Sequence, residues 1–207
     1  MSCYGIQHWW PGDTPFEIMV GAILTQSAAW SNVEKAIGNL KAAGTLSPAT
    51  IRELPLPDLA KLVFPSGYYN AKAKKLKALA EWLGQYGDDL SRLDNIPMQE
   101  LRQELLNVHG IGPETADAIL LYALRRPTFV IDAYTKRLFT RIGIKPQRDT
   151  YQDWQALFMD NLPNDVTLFA EYHALIIKHG KDKCSKKLVC TDCCLSDQCH
   201  SKTDSIS

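Results

Sequence analysis

The sequence lacks a net charge, a long apolar run and any strand-like alternation, and each absence narrows what the chain can be. Lysine plus arginine and aspartate plus glutamate both total 23 in 207 residues. The whole-molecule field therefore does not draw in a polyanion, and contacts to phosphate have to come from local patches. The longest apolar stretches, such as Ala118 to Leu124, fall far short of the roughly 20 residues that cross a bilayer. Met1 to Trp10 has neither the charged start nor the apolar middle of a secretory leader, so a cytoplasmic, soluble chain with no membrane contact is expected. Linkers, low-complexity tracts and fixed-period repeats are also missing, which excludes tethers and solenoids. Cysteine is scarce outside one place: Cys3 stands apart, and the other five of the six lie between Cys184 and Cys199. A disulfide framework would spread its thiols, whereas such crowding without a leader points to a metal or cluster site.

What is present reads as helix. A 45% hydrophobic composition can bury a substantial core in one body or two packed lobes. Apolar residues three and four apart mark Phe16 to Leu24, Val33 to Leu40, Ile51 to Val63, Ala71 to Leu83, Met98 to Val108, Glu114 to Leu124, Ala133 to Ile142, Tyr151 to Leu162 and Val166 to His179, with proline and glycine between them. The expected fold class is all-α, about nine or ten short helices followed by the cysteine loop and a polar end from Ser201 to Ser207. Two lysine runs, Lys72-Lys74-Lys75-Lys77 and Lys178-Lys181-Lys183-Lys186-Lys187, are either phosphate-binding patches or solvated faces.

Two features carry chemistry. In Val108-His109-Gly110-Ile111-Gly112-Pro113-Glu114, two glycines flank one apolar residue between helical runs. The turn can be tight, Ile111 can plug back between the helices, and amides at the start of the next helix can face a phosphate. Helical packing alone would explain the same glycines. Further on, the apolar run Phe129-Val130-Ile131 ends in Asp132, which opens the next helix. Asp132 suits an N-cap and, equally, an acid placed at a site; the two roles are compatible.

The string from Val108 to Asp117, followed by Val130-Ile-Asp-Ala-Tyr-Thr-Lys-Arg137, resembles the helix-hairpin-helix and aspartate motif of the endonuclease III superfamily of DNA glycosylases. Gly21 to Ser27 and Gly67 to Ala73 resemble its two DNA-probing loops, in the same order along the chain. The resemblance implies two helical lobes, a central barrel at 16–126 and a terminal lobe at 1–15 and 127–207 with a cluster loop at 184–199. It implies double-stranded DNA with a damaged base as partner and a monomer associated with a prokaryotic nucleoid. Asp132 would be the catalytic residue, and Gln26, Ser27 and Tyr68 would act as wedges. Gly110, Ile111, Gly112, Thr115, Lys183, Lys186 and Lys187 would contact phosphate.

Cys184, Cys190, Cys193 and Cys199 form C-x5-C-x2-C-x5-C, with Cys194 as an extra thiol. Four thiolates in sixteen residues can close around one metal centre, zinc being the generic alternative. By resemblance the occupant is a structural 4Fe-4S cluster, and the first interval is one residue shorter than the family's commonest form. Members that also cut the strand carry a lysine where this chain has Glu114. A carboxylate cannot form a Schiff base, so a monofunctional glycosylase is expected. Trp9-Trp10-Pro11 with Trp30 resembles the 3-methyladenine DNA glycosylase branch, in which aromatic rings hold the flipped base; three early tryptophans also suit an ordinary core. His109, His173 and His179 read as packing or capping residues. The remaining readings are a glycosylase for a mismatched, deaminated or oxidised base, and a non-catalytic binder of DNA structure.

Overall fold

Every regular element among the described residues is helical. They are residues 3–185, 190 and 192–201 of a computed structural model, and the chain divides into two compact units. A central unit spans Pro11–Arg126, and a terminal unit joins Met1–Trp10 to Pro127–Ser207. Among the described residues no helix is long and apolar enough to cross a membrane.

The central unit holds α1 (Pro15–Leu24), α2 (Trp30–Ala42), α3 (Pro48–Glu53), α4 (Leu56–Leu62), α5 (Tyr69–Gly84), α6 (Met98–Asn107) and α7 (Pro113–Ala118). Thr14 caps α1 by accepting from the Glu17 N–H, and Pro15 occupies its first turn, where a missing N–H has no cost. Met19, Val20, Ile23 and Leu24 are wholly buried, so α1 is apolar on nearly every side and forms the centre of the unit. It packs against α2, α5 and the helical turn that follows α7.

Two helices expected from periodicity are interrupted. The segment Ile51 to Val63 forms two helices because Leu54, before Pro55, is extended at φ −60°, ψ 133°; the ring of Pro55 disfavours a helical neighbour on that side. The segment Glu114 to Leu124 winds as α only to Ala118 and then widens into a π turn over Ile119–Ala123. All five residues of that turn are buried. Periodicity alone cannot register this change of pitch, because both windings bury the same side chains.

The first lysine run does not form a basic face. Lys72 is buried, and its ammonium donates to Leu24 O at 2.8 Å and Ser66 O at 2.6 Å. Burial, with a smaller push from Lys75, lowers its pKa to about 8. Lys77 donates to Arg52 O at 2.6 Å and Lys75 to the Gln26 amide. These amines satisfy backbone and amide oxygens inside the unit, because a buried carbonyl at a helix end needs a donor. Only Lys74 of the four is exposed.

In the terminal unit, α8 (Ala133–Arg141), α9 (Tyr151–Met159) and α10 (Val166–Asp182) surround Phe129. Its ring stacks on Phe158 at 3.9 Å and meets Phe169 edge-on at 5.6 Å. The chain's first residues are tied to α10 through Glu171, a buried carboxylate that accepts from the Gln7 N–H at 2.7 Å and the His8 N–H at 2.8 Å.

Candidate active site

Asp132 stands where the buried run Phe129-Val130-Ile131 becomes α8. Its backbone is extended at φ −118° and its side chain caps the helix. Oδ1 accepts from the Thr135 N–H at 2.7 Å and the Thr135 hydroxyl at 2.9 Å. Oδ2 lies 3.6 Å from His173 Nε2, and only 12% of the Asp132 side chain is exposed. Burial works to raise the pKa, yet His173 and then Thr135 outweigh it and hold the carboxyl below the usual aspartate range. The His173 attraction acts when the ring carries its second proton. One oxygen therefore serves the helix while the other faces a buried imidazole, and the capping and chemical readings coexist.

Sequence reading placed His173 among packing residues. What brings it to the carboxylate is the packing of α10 against α8, which has no local signal. Glu171 and the bond from Lys75 to Gln26 have no local signal for the same reason.

Trp9 and Trp10 are half-buried, their rings edge-on at 5.9 Å, and the Lys181 ammonium sits 5.7 Å from the Trp9 ring. The two residues held by Glu171 directly precede this pair, so α10 fixes where the indoles begin. Trp30 belongs to the central unit. Its indole N–H donates to Glu34 at 2.9 Å, and it lines a cavity of about 270 Å³ with Pro11, Asp13, Glu17 and Lys41.

The hairpin of the central unit is a tight turn closed by side chains. Gly110 has φ +81°, and a Cβ there would meet Lys75 Cγ at 2.4 Å, so both the backbone and the close approach require glycine. Ile111 is buried, as the hairpin reading expects, but its N–H donates to Val108 O at 3.1 Å. That amide closes the turn. Gly112 is exposed and begins α7. Thr115 is buried, and its hydroxyl accepts from Gln26 Nε2 at 2.9 Å. Gln26 also donates to Gly110 O at 3.1 Å and accepts from Lys75. Its amide thus braces the first loop against the hairpin.

Ser27 and Tyr68 are exposed, and both hold left-handed backbone, at φ 52° and 45°. Such geometry costs a non-glycine residue of order 1 kcal/mol or more, and it persists where surrounding structure imposes it. Tyr68 is 75% exposed. Glu114 is exposed in the first turn of α7.

The cysteine loop is described at Cys184, Cys190, Cys193 and Cys199. Cys184 is buried beyond α10 and accepts from Arg141 Nη1 at 3.1 Å. Cys193 Sγ is 3.7 Å from His179 Nε2, and Cys199 Sγ donates to Arg141 O at 3.6 Å. Among the described residues no three His, Cys, Asp or Glu side chains are gathered as a metal site. In chemistry the donor set still fits a cluster, since Cys184, Cys190, Cys193 and Cys199 supply four sulfur donors within sixteen residues. Lys183 is half-buried at the end of α10, and Lys186 and Lys187 lie outside the described residues.

The family model for the HhH-GPD superfamily of base excision DNA repair proteins matches residues 20–164. A provisionally named DNA repair glycosylase of Methanocaldococcus jannaschii is 45% identical over 205 residues, covering 98% of this chain and 93% of that protein. The 3-methyladenine DNA glycosylase of H. pylori, solved with 1,N6-ethenoadenine, is 31% identical with a TM-score of 0.71, covering 84% of this chain and 87% of that one. An endonuclease III solved in a non-covalent complex with DNA shares the fold, at 21% identity and a TM-score of 0.81 over 97% of this chain and 89% of that one.

Proposed function

The chain belongs to the HhH-GPD superfamily of base excision DNA repair proteins and is a DNA glycosylase of that superfamily; from this premise we propose that it releases alkylated purines by hydrolysis and leaves the strand intact. The observation that carries the reading is the Asp132 carboxylate, held ionised at the start of α8 by Thr135 and His173.

The base must first leave the stack. Tyr68, exposed on strained backbone, and Ser27 are the side chains that would enter the duplex; the Gln26 amide supports their loop from the hairpin. Gly110, Gly112 and the first amides of α7 would meet a phosphate, with Lys183, Lys186 and Lys187 as further contacts. Trp9 and Trp10 would offer indole faces to the extruded base, with Trp30 the candidate on the central unit. A purine methylated on a ring nitrogen is cationic, so indole faces attract it and it departs without prior protonation.

As the bond from C1′ to the base nitrogen breaks, its electron pair leaves with the base and positive charge grows on the sugar. Asp132 stabilises that charge. Water adds its oxygen to C1′, and its proton passes toward the carboxylate. Glu114 at the hairpin helix offers no amine, so no imine forms between enzyme and sugar. The similarity to the H. pylori enzyme supports the alkylated-purine branch. The place of action would be the cytoplasm, on the nucleoid.

Cys184, Cys190, Cys193 and Cys199 would hold a 4Fe-4S cluster. The cluster would supply cross-links that fix the C-terminal loop, and base release would not pass through it. Purified protein is expected to be brown and to contain iron by elemental analysis. A colourless zinc-containing protein would reject the cluster.

Oligonucleotides each carrying one lesion test the rest. The expected result is release of 3-methyladenine, strand breakage only after alkali, and no adduct trapped by borohydride. Release confined to uracil, a mismatched thymine or an oxidised pyrimidine would move the substrate to another lesion class. Breakage without alkali would refute the hydrolytic mechanism.

A further inference from the structure

Two backbone carbonyls at the roots of the two proposed wedge loops share one donor. Leu24 is the last residue of α1 and leads through Thr25 and Gln26 to Ser27. Ser66 closes the short helical turn Phe64–Ser66 and is followed by Gly67 and Tyr68. The ammonium of Lys72, near the start of α5, donates to Leu24 O at 2.8 Å and to Ser66 O at 2.6 Å, so one side chain ties both loops where they begin.

A charge is unfavourable in this position. Lys72 is 2% exposed, and among the described residues no carboxylate pairs with it. Each acceptor instead ends a helical segment, where carbonyls without a helical partner carry partial negative charge. Lys75, one turn along α5, is the charge that acts on Lys72, and it disfavours the proton. The ionic groups on the other helices packed against α5 are engaged elsewhere: Glu17 of α1 with Lys41, Arg52 of α3 with Asp88 and Asp58 of α4 with Lys61, while Glu53 of α3 is exposed. An apolar chain of the same length would fill the space without desolvating a charge, so the two carbonyls, and not packing, call for the amine.

We infer that Lys72 is a positioning residue for base extrusion: its ammonium fixes the spacing of the two loop roots, so that Ser27 and Tyr68, both on left-handed backbone, meet the duplex together. Lys75 extends the arrangement, because it donates to the Gln26 amide, which itself donates to Gly110 O and Thr115 in the hairpin. One face of α5 thus holds both loops and, through Gln26, the hairpin. A charged donor makes these bonds stronger than a neutral one would. The inference rests on the reading of these loops as wedges.

The test follows extrusion without base release. Full-length protein is added to a duplex carrying 2-aminopurine beside a tetrahydrofuran abasic analogue, and fluorescence rises as the stack opens. Lys72→Met keeps the length of the side chain and removes the ammonium. Its fluorescence rise at saturating protein is expected to be largely lost. Single-turnover release of a paired lesion should fall by about a hundredfold, the scale of a misplacement of about 1 Å, with release of the same lesion from a single strand little changed. Lys77→Met is the control, because Lys77 also donates to a backbone carbonyl, that of Arg52, but to neither loop; it should leave the signal unchanged.

The parent protein gives a second readout. Burial places the Lys72 pKa at about 8, below the ordinary lysine value of 10.5. The fluorescence rise should therefore decline as the pH climbs through about 8. Between those two values the unfolded chain binds more protons than the folded one, so the contribution of Lys72 to stability rises with pH. Extrusion and that contribution are expected to move in opposite directions, which a merely structural lysine would not produce. A parent signal that stays flat through this window overturns the inference, even if Lys72→Met does not fold. So does a Lys72→Met variant that matches the parent, or one that loses paired and single-strand release equally; in each case a parent that still opens the probe leaves the wedge reading standing. A parent that never opens the probe refutes the wedge reading and the inference with it. If the fluorescence effects appear but no lesion is ever released, the positioning role stands and the glycosylase reading fails.

Discussion

Replacing Asp132 by asparagine is expected to lower single-turnover base release by about three orders of magnitude, within the range for loss of a general base or a key transition-state charge. The substitution separates chemistry from folding. Asparagine caps helices as well as aspartate does, so the bonds from the Thr135 N–H and hydroxyl to the Asp132 side chain can be kept. What disappears is the charge that the proposed mechanism directs at the sugar. Affinity for lesion-containing DNA should stay within a few-fold of the parent, because that carboxylate adds nothing favourable beside phosphate. Asp132→Ala is a second control, with a further loss of about 1 kcal/mol in stability from the missing cap.

The acid limb of base release follows from the same environment. His173 and Thr135 hold the Asp132 pKa below that of an ordinary aspartate. A group whose pKa is depressed by folding keeps its charge until the pH falls through the folded value. Base release should therefore persist through the range where ordinary aspartates gain protons, and fall only below it. The stability contributed by the carboxylate should follow the same course, complete above the unfolded pKa and lost as the pH drops through the folded one. His173→Phe should move that limb upward, to higher pH. Near-normal release by Asp132→Asn would remove the aspartate from the mechanism altogether.

Breaking the Arg102–Asp117 pair is expected to produce the largest loss of stability, about 3–5 kcal/mol. Asp117 is wholly buried and 16% of the Arg102 side chain is exposed. Two parallel bonds of 2.8 and 2.9 Å join them, locking α6 to α7 on either side of the hairpin. Arg102→Ala would leave a carboxylate with no accessible surface and without its guanidinium. In a chain this long the loss corresponds to a fall of roughly 10 °C in Tm, readable by calorimetry. Removing both charges together, as Arg102→Met with Asp117→Leu, should recover most of it, since apolar replacements avoid the desolvation penalty. If Arg102→Ala melted within 2 °C or so of the parent, the pair would not be what fixes the hairpin.

How far the sequence reaches depends on whether a feature is local. The hairpin and the helix cap were legible because they depend on residues within one turn: Gly110 at positive φ, Ile111 as the plug, Asp132 before α8. The break at Leu54 was equally local and was signalled by Pro55, although apolar spacing hid it. The lysine run at Lys72 misled, because charge read along a chain does not reveal which amines a carbonyl will capture.

On its own, the sequence determined an all-helical chain, a glycine hairpin followed by a capping aspartate, and five cysteines crowded near the end. Those features are set by backbone preference and short-range spacing, which act before any long-range contact exists. Only the tertiary structure decided that His173 faces Asp132, that Glu171 fixes the start of the tryptophan pair, that Lys75 and Gln26 brace the hairpin, and that Lys72 reaches the roots of two loops. Each of these depends on side chains brought together by helix packing, and the chance that two distant residues will meet is not encoded in the neighbourhood of either one.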